Sequence, residues 1–472
     1  MSHGHDIHIK QENFVFSSKT KNFCYALIVI GAILTAIGIF TLPKAEDHKA
    51  EGHQTEMAAT EHHTDAAAAE HHMAAEEHVT NYQNIHGIDT FRDNEQIHGV
   101  PAEHAKPIAT RIWTNLLLNG YLILLISVCG LFFFALQYIA NAGWAILLIR
   151  IPQAISTFLP VGALIILAVF FIDGENIYHW VHYEHQHIAK GAVGYDAILA
   201  DKSWFLNTKL IVGFLIAIPL IWWLFGKKLR ALSYREDSEG GLMFFKKSIT
   251  FSAAFTIFFG FGLSIFSWVV MMSVDAHWYS TMFSLYNFAT GWVTCISIIA
   301  LFVLYLKRNG YLTLVTDEHI HDLGKFMFAF SIFWTYLWVS QFLLIWYANI
   351  PEETIYFYKR WEMPFKINFF FNLLMNFLIP FLVLMTRNAK RNPKILTFVA
   401  LCIIIGHWND MYLMIMPGTL DHQAGIGALE IGMTILFAGV FIYWVLTALS
   451  KKGLVPVNHP YIEESAHHDV GV

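Results

Sequence analysis

Cysteine is scarce: the chain holds four in 472 residues, at positions 24, 129, 295 and 402, each alone inside an apolar run. There is no CxxC pair, no CxxCH and no ferredoxin-like spacing, so the chain by itself binds neither an iron–sulfur cluster nor a c-type haem. Each thiol reads as a small buried hydrophobe. Charge is scarce too, at 14% of residues against 56% hydrophobic; soluble globular chains run at about 25% and about 45–50%. A water-soluble fold is excluded, and the net charge of -6 gives no basic surface for nucleic acid. A phosphate-cradling glycine loop and a Ser-centred nucleophile motif are both absent, which removes direct ATP hydrolysis and acyl transfer.

What is present is hydrophobic length. Ten apolar runs are long enough to span a bilayer: Asn22–Leu42, Trp113–Ile139, Ala154–Ile172, Leu206–Phe225, Ile249–Ser273, Phe283–Leu306, Leu323–Asn349, Phe365–Thr386, Ile395–Met416 and Gly427–Ser450. The fold class is therefore all-α and polytopic, since lipid leaves helices as the economical way to satisfy backbone groups. The first run has no small-residue cleavage site and reads as a retained helix rather than a signal peptide. Residues 1–21 form a basic tail, residues 43–112 an outer His/Glu/Ala-rich segment, partly disordered, residues 113–450 a nine-helix core, and residues 451–472 a second tail. The tract EHHTDAAAAEHHMAAEEH has metal-binding composition without a fixed ligand geometry, so no specific metal site is assigned.

The cations of the short connections set the orientation. Lys19 and Lys21, Lys227 to Arg235, Lys307 and Arg308, Arg387 to Lys394, and Lys451 and Lys452 all fall on one side, whereas the connections around Asp275 and residues 417–426 have none. Both termini are expected in the cytoplasm of a bacterial cell, with the chain in the inner membrane. The stretch IANAGWAILLIRI, with Arg150 ahead of Pro152, reads as an interfacial piece, and DGENIYHWVHYEHQH as a short helix lying on the outer surface. LVTDEHIHDLGK reads as a solvated inner turn.

The chain is organised around Phe261–Trp292, where one span ends, Asp275 and His277 occupy a crossover, and the next span begins. Ionisable groups at or inside apolar runs are costly and point to function. His407 lies about 18 Å along the ninth span from Ile395, near the bilayer centre, at 1.5 Å per residue. Asp410 is three residues on and shares its face. Gln341 and Glu430 come out in the same outer half. Asn368, Asn372 and Asn376 repeat every four residues down one face of the eighth span, a pattern that suits cross-helix amide bonding. A single deep histidine does not supply the paired ligands of a b-type haem. The remaining classes are a proton-coupled quinone site, a secondary transporter, or a structural anchor within a complex.

MMSVDAHWYSTMFSLYNF (271–288), WVSQFLLIWYANIPEE (338–353) and GHWNDMYLMIMP (406–417) resemble the NrfD-like, polysulfide-reductase-type membrane subunits. Within that family they are most similar to the ActF-type quinone-binding branch found in alternative complex III, a quinol:cytochrome c oxidoreductase. The resemblance extends to the ten-span layout. It implies two four-helix bundles plus peripheral helices, no redox cofactor held by this chain, and a quinol such as menaquinol as the molecule handled. It also implies partner subunits carrying haem c and iron–sulfur clusters, and a second NrfD-like subunit, which is the one that passes electrons. On this reading Asp275, His277, Gln341, His407, Asp410 and Glu430 are quinone or proton-pathway residues, with no catalytic residue in the strict sense.

Overall fold

The structure is a computed structural model that describes residues 11–42, 107–186, 188, 190, 192 and 195–469. The His-rich tract and its metal-binding composition lie outside the described residues.

Ten helices are long and apolar enough to cross a membrane. They are α1 (Ser18–Thr41), α2 (Ile108–Ile139), α3 (Ile146–Ile177), α6 (Thr208–Glu239), α7 (Leu242–Val270), α8 (Phe283–Arg308), α9 (Asp317–Ala348), α11 (Lys366–Val383), α13 (Pro393–Thr419) and α14 (Ala428–Leu449). Between them lie the short helices α4 (His179–Gln186), α5 (Ala197–Lys202), α10 (Pro351–Trp361) and α12 (Arg387–Arg391), and α15 (Ile462–Ala466) follows the last span. Among the described residues there is no strand, only one isolated bridge between Asn13 and Gly453. The chain is an all-α polytopic membrane protein.

Helices α2, α3, α6 and α7 pack as one four-helix bundle and α8, α9, α11 and α13 as a second, joined where α2 meets α8 and α13. The central helix α2 is the most enclosed, with 83% of its apolar window buried, while α1 has 17% and lies at the periphery against α14. Glycine makes that last contact possible. A Cβ on Gly31 would sit 2.4 Å from the Leu436 backbone, one on Gly38 2.3 Å from Leu429, and one on Gly432 2.4 Å from the Thr35 nitrogen. Small residues spaced this way let two backbones approach in lipid, where helices associate by close packing rather than by water exclusion.

Several elements are longer or differently placed than hydropathy alone indicates. The stretch with Arg150 and Pro152 is buried and helical and leads into the third span. Residues 146–158, the first part of α3, are short 3-10 and α-helical turns, largely buried, that continue without a break into its long α-helical part, Leu159–Ile177. The 314–325 stretch is not a solvated turn: α9 begins at Asp317, and His319, His321 and Asp322 are buried. The reason is the C-terminal segment, which folds back across this end. His468 Nε2 lies 2.8 Å from Asp322 Oδ2, Ser465 Oγ donates to the Trp144 carbonyl at 3.0 Å, and the Leu454 amide donates to Glu12 O at 2.8 Å. A tail with few apolar residues gives no hydropathy signal, yet it covers the mouths of both bundles.

The two ends of the molecule differ in charge. The cationic connections come together at the end where the residue 11–17 and 451–469 segments meet. The connections carrying Asp275 and residues 420–427 lie at the opposite end, where the cations Arg360 and Arg111 are paired with Asp275 and Glu430.

Candidate functional site: a buried carboxylate beside an aromatic cleft

Asp410 is 1% exposed. Helix α13 carries it into the second bundle, and three other helices supply donors to its two oxygens. From α8, Tyr286 donates its hydroxyl to Oδ1 and Thr290 donates to Oδ2 at 2.9 Å. The Trp334 indole on α9 donates to Oδ2 at 3.1 Å, and Asn372 Nδ2 on α11 to Oδ1 at 2.9 Å. Tyr286 and Thr290 are four residues apart, so one face of α8 presents both. Four donors saturate a carboxylate in its acceptor-only, ionised form. A charge taken out of water persists only with such compensation.

Position 372 belongs to the Asn row, and two members of the row, Asn372 and Asn376, are ordered by this site. Asn376 Nδ2 donates to Asn372 Oδ1 at 2.6 Å, which fixes the Asn372 amide with its nitrogen toward Asp410. Residues 374–378 form a π-turn, a local widening often found at functional sites in membrane and soluble helices alike. Asn376 packs so closely on α13 that a Cβ on Gly406 would lie 2.1 Å from its Oδ1.

His407 is fully buried, its Nδ1 3.7 Å from Asp410 Oδ2, and its ring meets Trp334 edge to face at 5.3 Å. Neither ring nitrogen has a hydrogen-bond partner among the described residues. An imidazole so placed has one donor and one acceptor unused.

In front of Asp410 lies a narrow cleft walled by Tyr286, Trp338, Gln341, Tyr356, Phe369 and Arg360, with Asn372 and Asp410 at its base. Its volume is about 20 Å³, room for roughly one water by the usual requirement of about 10–15 Å³ per molecule. That space is too small for a quinone ring as it stands. The Gln341 side-chain nitrogen is buried there with no partner.

Arg360, on α10, closes the cleft at its outer end. Its Nη2 donates to Asp275 Oδ2 at 2.9 Å, its Nε to the Leu413 carbonyl at 2.8 Å, and its Nη1 to Tyr356 O at 2.6 Å. The Leu413 contact has a covalent cause. That carbonyl's helical partner would be the nitrogen of residue 417, which is proline and has no N–H. Arg360 supplies the missing donor and pairs Asp275 at the same time. Its guanidinium stacks 3.3 Å over the Tyr356 ring, which in turn stacks on Trp278 at 3.8 Å. Burial pushes the Tyr356 phenol up to about 12, opposed by the Arg360 charge and helped by the carboxylates of Asp275 and Asp410.

Of the six candidates read from the sequence, Asp410, His407 and Gln341 share this site, and Asp275 reaches its wall through Arg360. His277 and Glu430 stand apart. His277 is at the surface, bonded to Asp196, while Lys202 bonds the Ala276 and His277 carbonyls. Burial works to raise the Asp196 carboxyl, but the His277 hydrogen bond and charge and the Leu199 and Ile198 amides outweigh it and bring it to about 2. Glu430 accepts from Arg111 Nε at 2.8 Å, from Asn115 at 3.1 Å and from the Gly427 amide at 2.8 Å, so it caps α14 and ties it to α2. Sequence reasoning missed Tyr286, Thr290, Trp334, Tyr356 and Arg360. The readable signals were the Tyr286/Thr290 spacing and Pro417, which announces an orphaned carbonyl four residues earlier.

Among the described residues no group of three or more His, Cys, Asp and Glu side chains is placed to hold a metal ion. No family model matches the chain, and neither does any curated protein.

Proposed function

We propose that this chain is the membrane-embedded, cofactor-free subunit of a quinol-oxidising respiratory assembly of the alternative complex III type, and that its own part is proton handling at Asp410. The observation that carries the reading is the fully buried carboxylate with four side-chain donors, opening on a cleft the size of one water and backed by an imidazole whose nitrogens are both unused. A proton arriving in the cleft reaches Asp410 by relay, the Tyr286 hydroxyl passing its own proton to Oδ1 as its oxygen takes up the arriving one, and His407 at 3.7 Å is the next acceptor. The Tyr286–Asp410 step is within hydrogen-bond reach, and the His407 step needs a small approach of the ring or a bridging water. Quinol oxidation releases two protons as two electrons leave, so such a centre serves an assembly whose electron carriers, haem c and iron–sulfur clusters, belong to partner subunits. The small cleft favours protons over quinone as what this chain holds, with quinol binding requiring its walls to part. The respiratory context is supported by the three motif segments at 271–288, 338–353 and 406–417, which between them supply Tyr286, Gln341, His407 and Asp410 to the site. In this reading the cation-rich end faces the cytoplasm of the inner membrane, which places both termini there.

Affinity purification from native membranes in mild detergent tests the assignment. Co-purification of haem-c and iron–sulfur proteins, with quinol:cytochrome c activity in the preparation, is expected. A chain that purifies alone and moves a solute when reconstituted is a transporter, and the proposal fails. A preparation that assembles with partners and keeps full activity and proton release when Asp410 is replaced leaves only a structural anchor.

A further inference from the structure

A cavity larger than the Asp410 cleft lies at the cation-rich end, between the start of α3, the end of α6 and the end of α14. It measures about 480 Å³, within the range of ordinary ligand pockets. Four cations face it, Arg150, Arg230, Lys451 and Lys452, and no carboxylate is in its wall. Arg150 is paired with Asp237 through Nη2, while its buried Nε has no partner. Arg230 Nη1 bonds only the Ser156 hydroxyl, at 2.8 Å. Neither Arg230, Lys451 nor Lys452 is paired with a carboxylate among the described residues. Tyr234 lies between two of these charges, with Arg150 Cζ at 4.8 Å and Lys452 Nζ at 5.1 Å from its ring. Three uncompensated positive charges converging on one space repel each other and leave their donors unused, an arrangement that an anion with several oxygens resolves.

The rest of the wall says which anion. Ala154, Ala448, Leu449 and Trp444 make it apolar on the side of the spans, and Trp444, 42% exposed, fixes its indole by donating to Thr157 Oγ1 at 2.9 Å. Aromatic side chains at this depth mark the boundary between headgroup and hydrocarbon. Cations above that boundary and apolar wall below it match a molecule with a phosphate head and hydrocarbon tails. We infer that this cavity is a binding site for an anionic phospholipid, with the phosphate held by Arg230, Lys451 and Lys452 and the acyl chains lying along α14 and the start of α3. The inference does not depend on the function proposed above.

Native mass spectrometry of the full-length chain, delipidated in mild detergent, tests it by titration with dioleoyl phosphatidylglycerol, dioleoyl phosphatidylcholine and inorganic phosphate. Retained phosphatidylglycerol, little phosphatidylcholine, and no displacement by millimolar phosphate are expected. Arg230→Gln and Lys452→Gln should each weaken phosphatidylglycerol binding about fivefold, the factor for one cation near an anionic lipid surface. Lys394→Gln, which removes an exposed cation at the same end outside the cavity, should leave it unchanged. Equal retention of phosphatidylcholine would mean an apolar groove without a headgroup site. Displacement by inorganic phosphate would mean a free-anion site. An equal effect of Lys394→Gln would mean diffuse surface charge. Any of the three overturns the proposal.

Discussion

Arg360 offers the sharpest structural prediction, because its contacts can be separated by mutation. Arg360→Gln removes the charge facing Asp275, whose side chain is only 14% exposed, and removes the donor that serves the Leu413 carbonyl above Pro417. Stranding one partner of a fully buried ion pair costs about 3–5 kcal/mol, and partial exposure of Asp275 lowers that to about 2. An unsatisfied buried carbonyl adds about 1–3 kcal/mol. The sum, about 3–5 kcal/mol, is a large fraction of the net stability of about 5–15 kcal/mol typical of a folded protein. Arg360→Lys keeps the charge but, as a single ammonium, cannot reach both the carboxylate and the carbonyl, so it should recover about half. In a double-mutant cycle with Asp275→Asn the stranded carboxylate disappears, and the double variant should be less destabilised than the sum of the singles by about 1–3 kcal/mol. The assay is denaturation of the purified protein in mixed micelles, with thermal midpoints at a fixed scan rate as a check. A cycle additive to within about 0.5 kcal/mol would refute the claim that Arg360 is held by Asp275. An Arg360→Gln variant as stable as the parent would refute the claim that it replaces the N–H missing at Pro417.

Other consequences are open to direct measurement. His459, in the C-terminal segment, is 3% exposed, and burial, with the Arg150 charge adding, lowers its imidazole to about 4. The folded pKa lies below the unfolded value of about 6.5, so docking of this segment is fully stable above about pH 6.5. It weakens as pH falls toward 4, by roughly 3 kcal/mol in all. Protease sensitivity of residues 451–469 should rise over that window, and His459→Phe should flatten the profile; a profile unchanged by the substitution would contradict the assignment. Gly432→Leu places side-chain atoms where the Thr35 backbone now sits and should detach α1 from α14 while leaving the two bundles folded. Loss of a disulfide cross-link engineered between α1 and α14 reports this, and full cross-linking in the variant would show that the glycine contact is dispensable.

How much of this was legible in the chain depends on which physics is local. Ten spans follow from hydrocarbon length alone, because lipid forces a helix wherever about twenty apolar residues run together. The cation bias read from short connections corresponds to ends that meet in space: Glu12 holds the Leu312 and Thr313 amides, and Arg391 pairs with Glu318. The depth of His407 and Asp410 came from counting residues, and their proximity from helical spacing. What could not be read is the direction of polar groups across helices. Asp275, His277 and Glu430 look alike as ionisable residues at the outer rim, yet the first is bound to the cleft's wall by an arginine 85 residues away, the second is at the surface, and the third caps a helix. Asn372 looks like its neighbours Asn368 and Asn376, but the Asn376 amide, donating to its Oδ1, turns its nitrogen toward Asp410. The basic cavity was invisible because Arg150, Arg230 and Lys452 are far apart along the chain and individually ordinary.

The claim on which the account rests is that Asp410 takes and gives up a proton during turnover. Asp410→Asn in the assembled complex tests it, with quinol:cytochrome c turnover and proton release measured together and Thr290→Val as the control that removes one hydrogen bond but keeps the carboxylate. The account predicts a loss of about 100-fold or more for Asp410→Asn, in the range of positioned acid–base groups, and a loss below about tenfold for Thr290→Val. Equal losses for the two variants, or full turnover and proton release in Asp410→Asn, would contradict it.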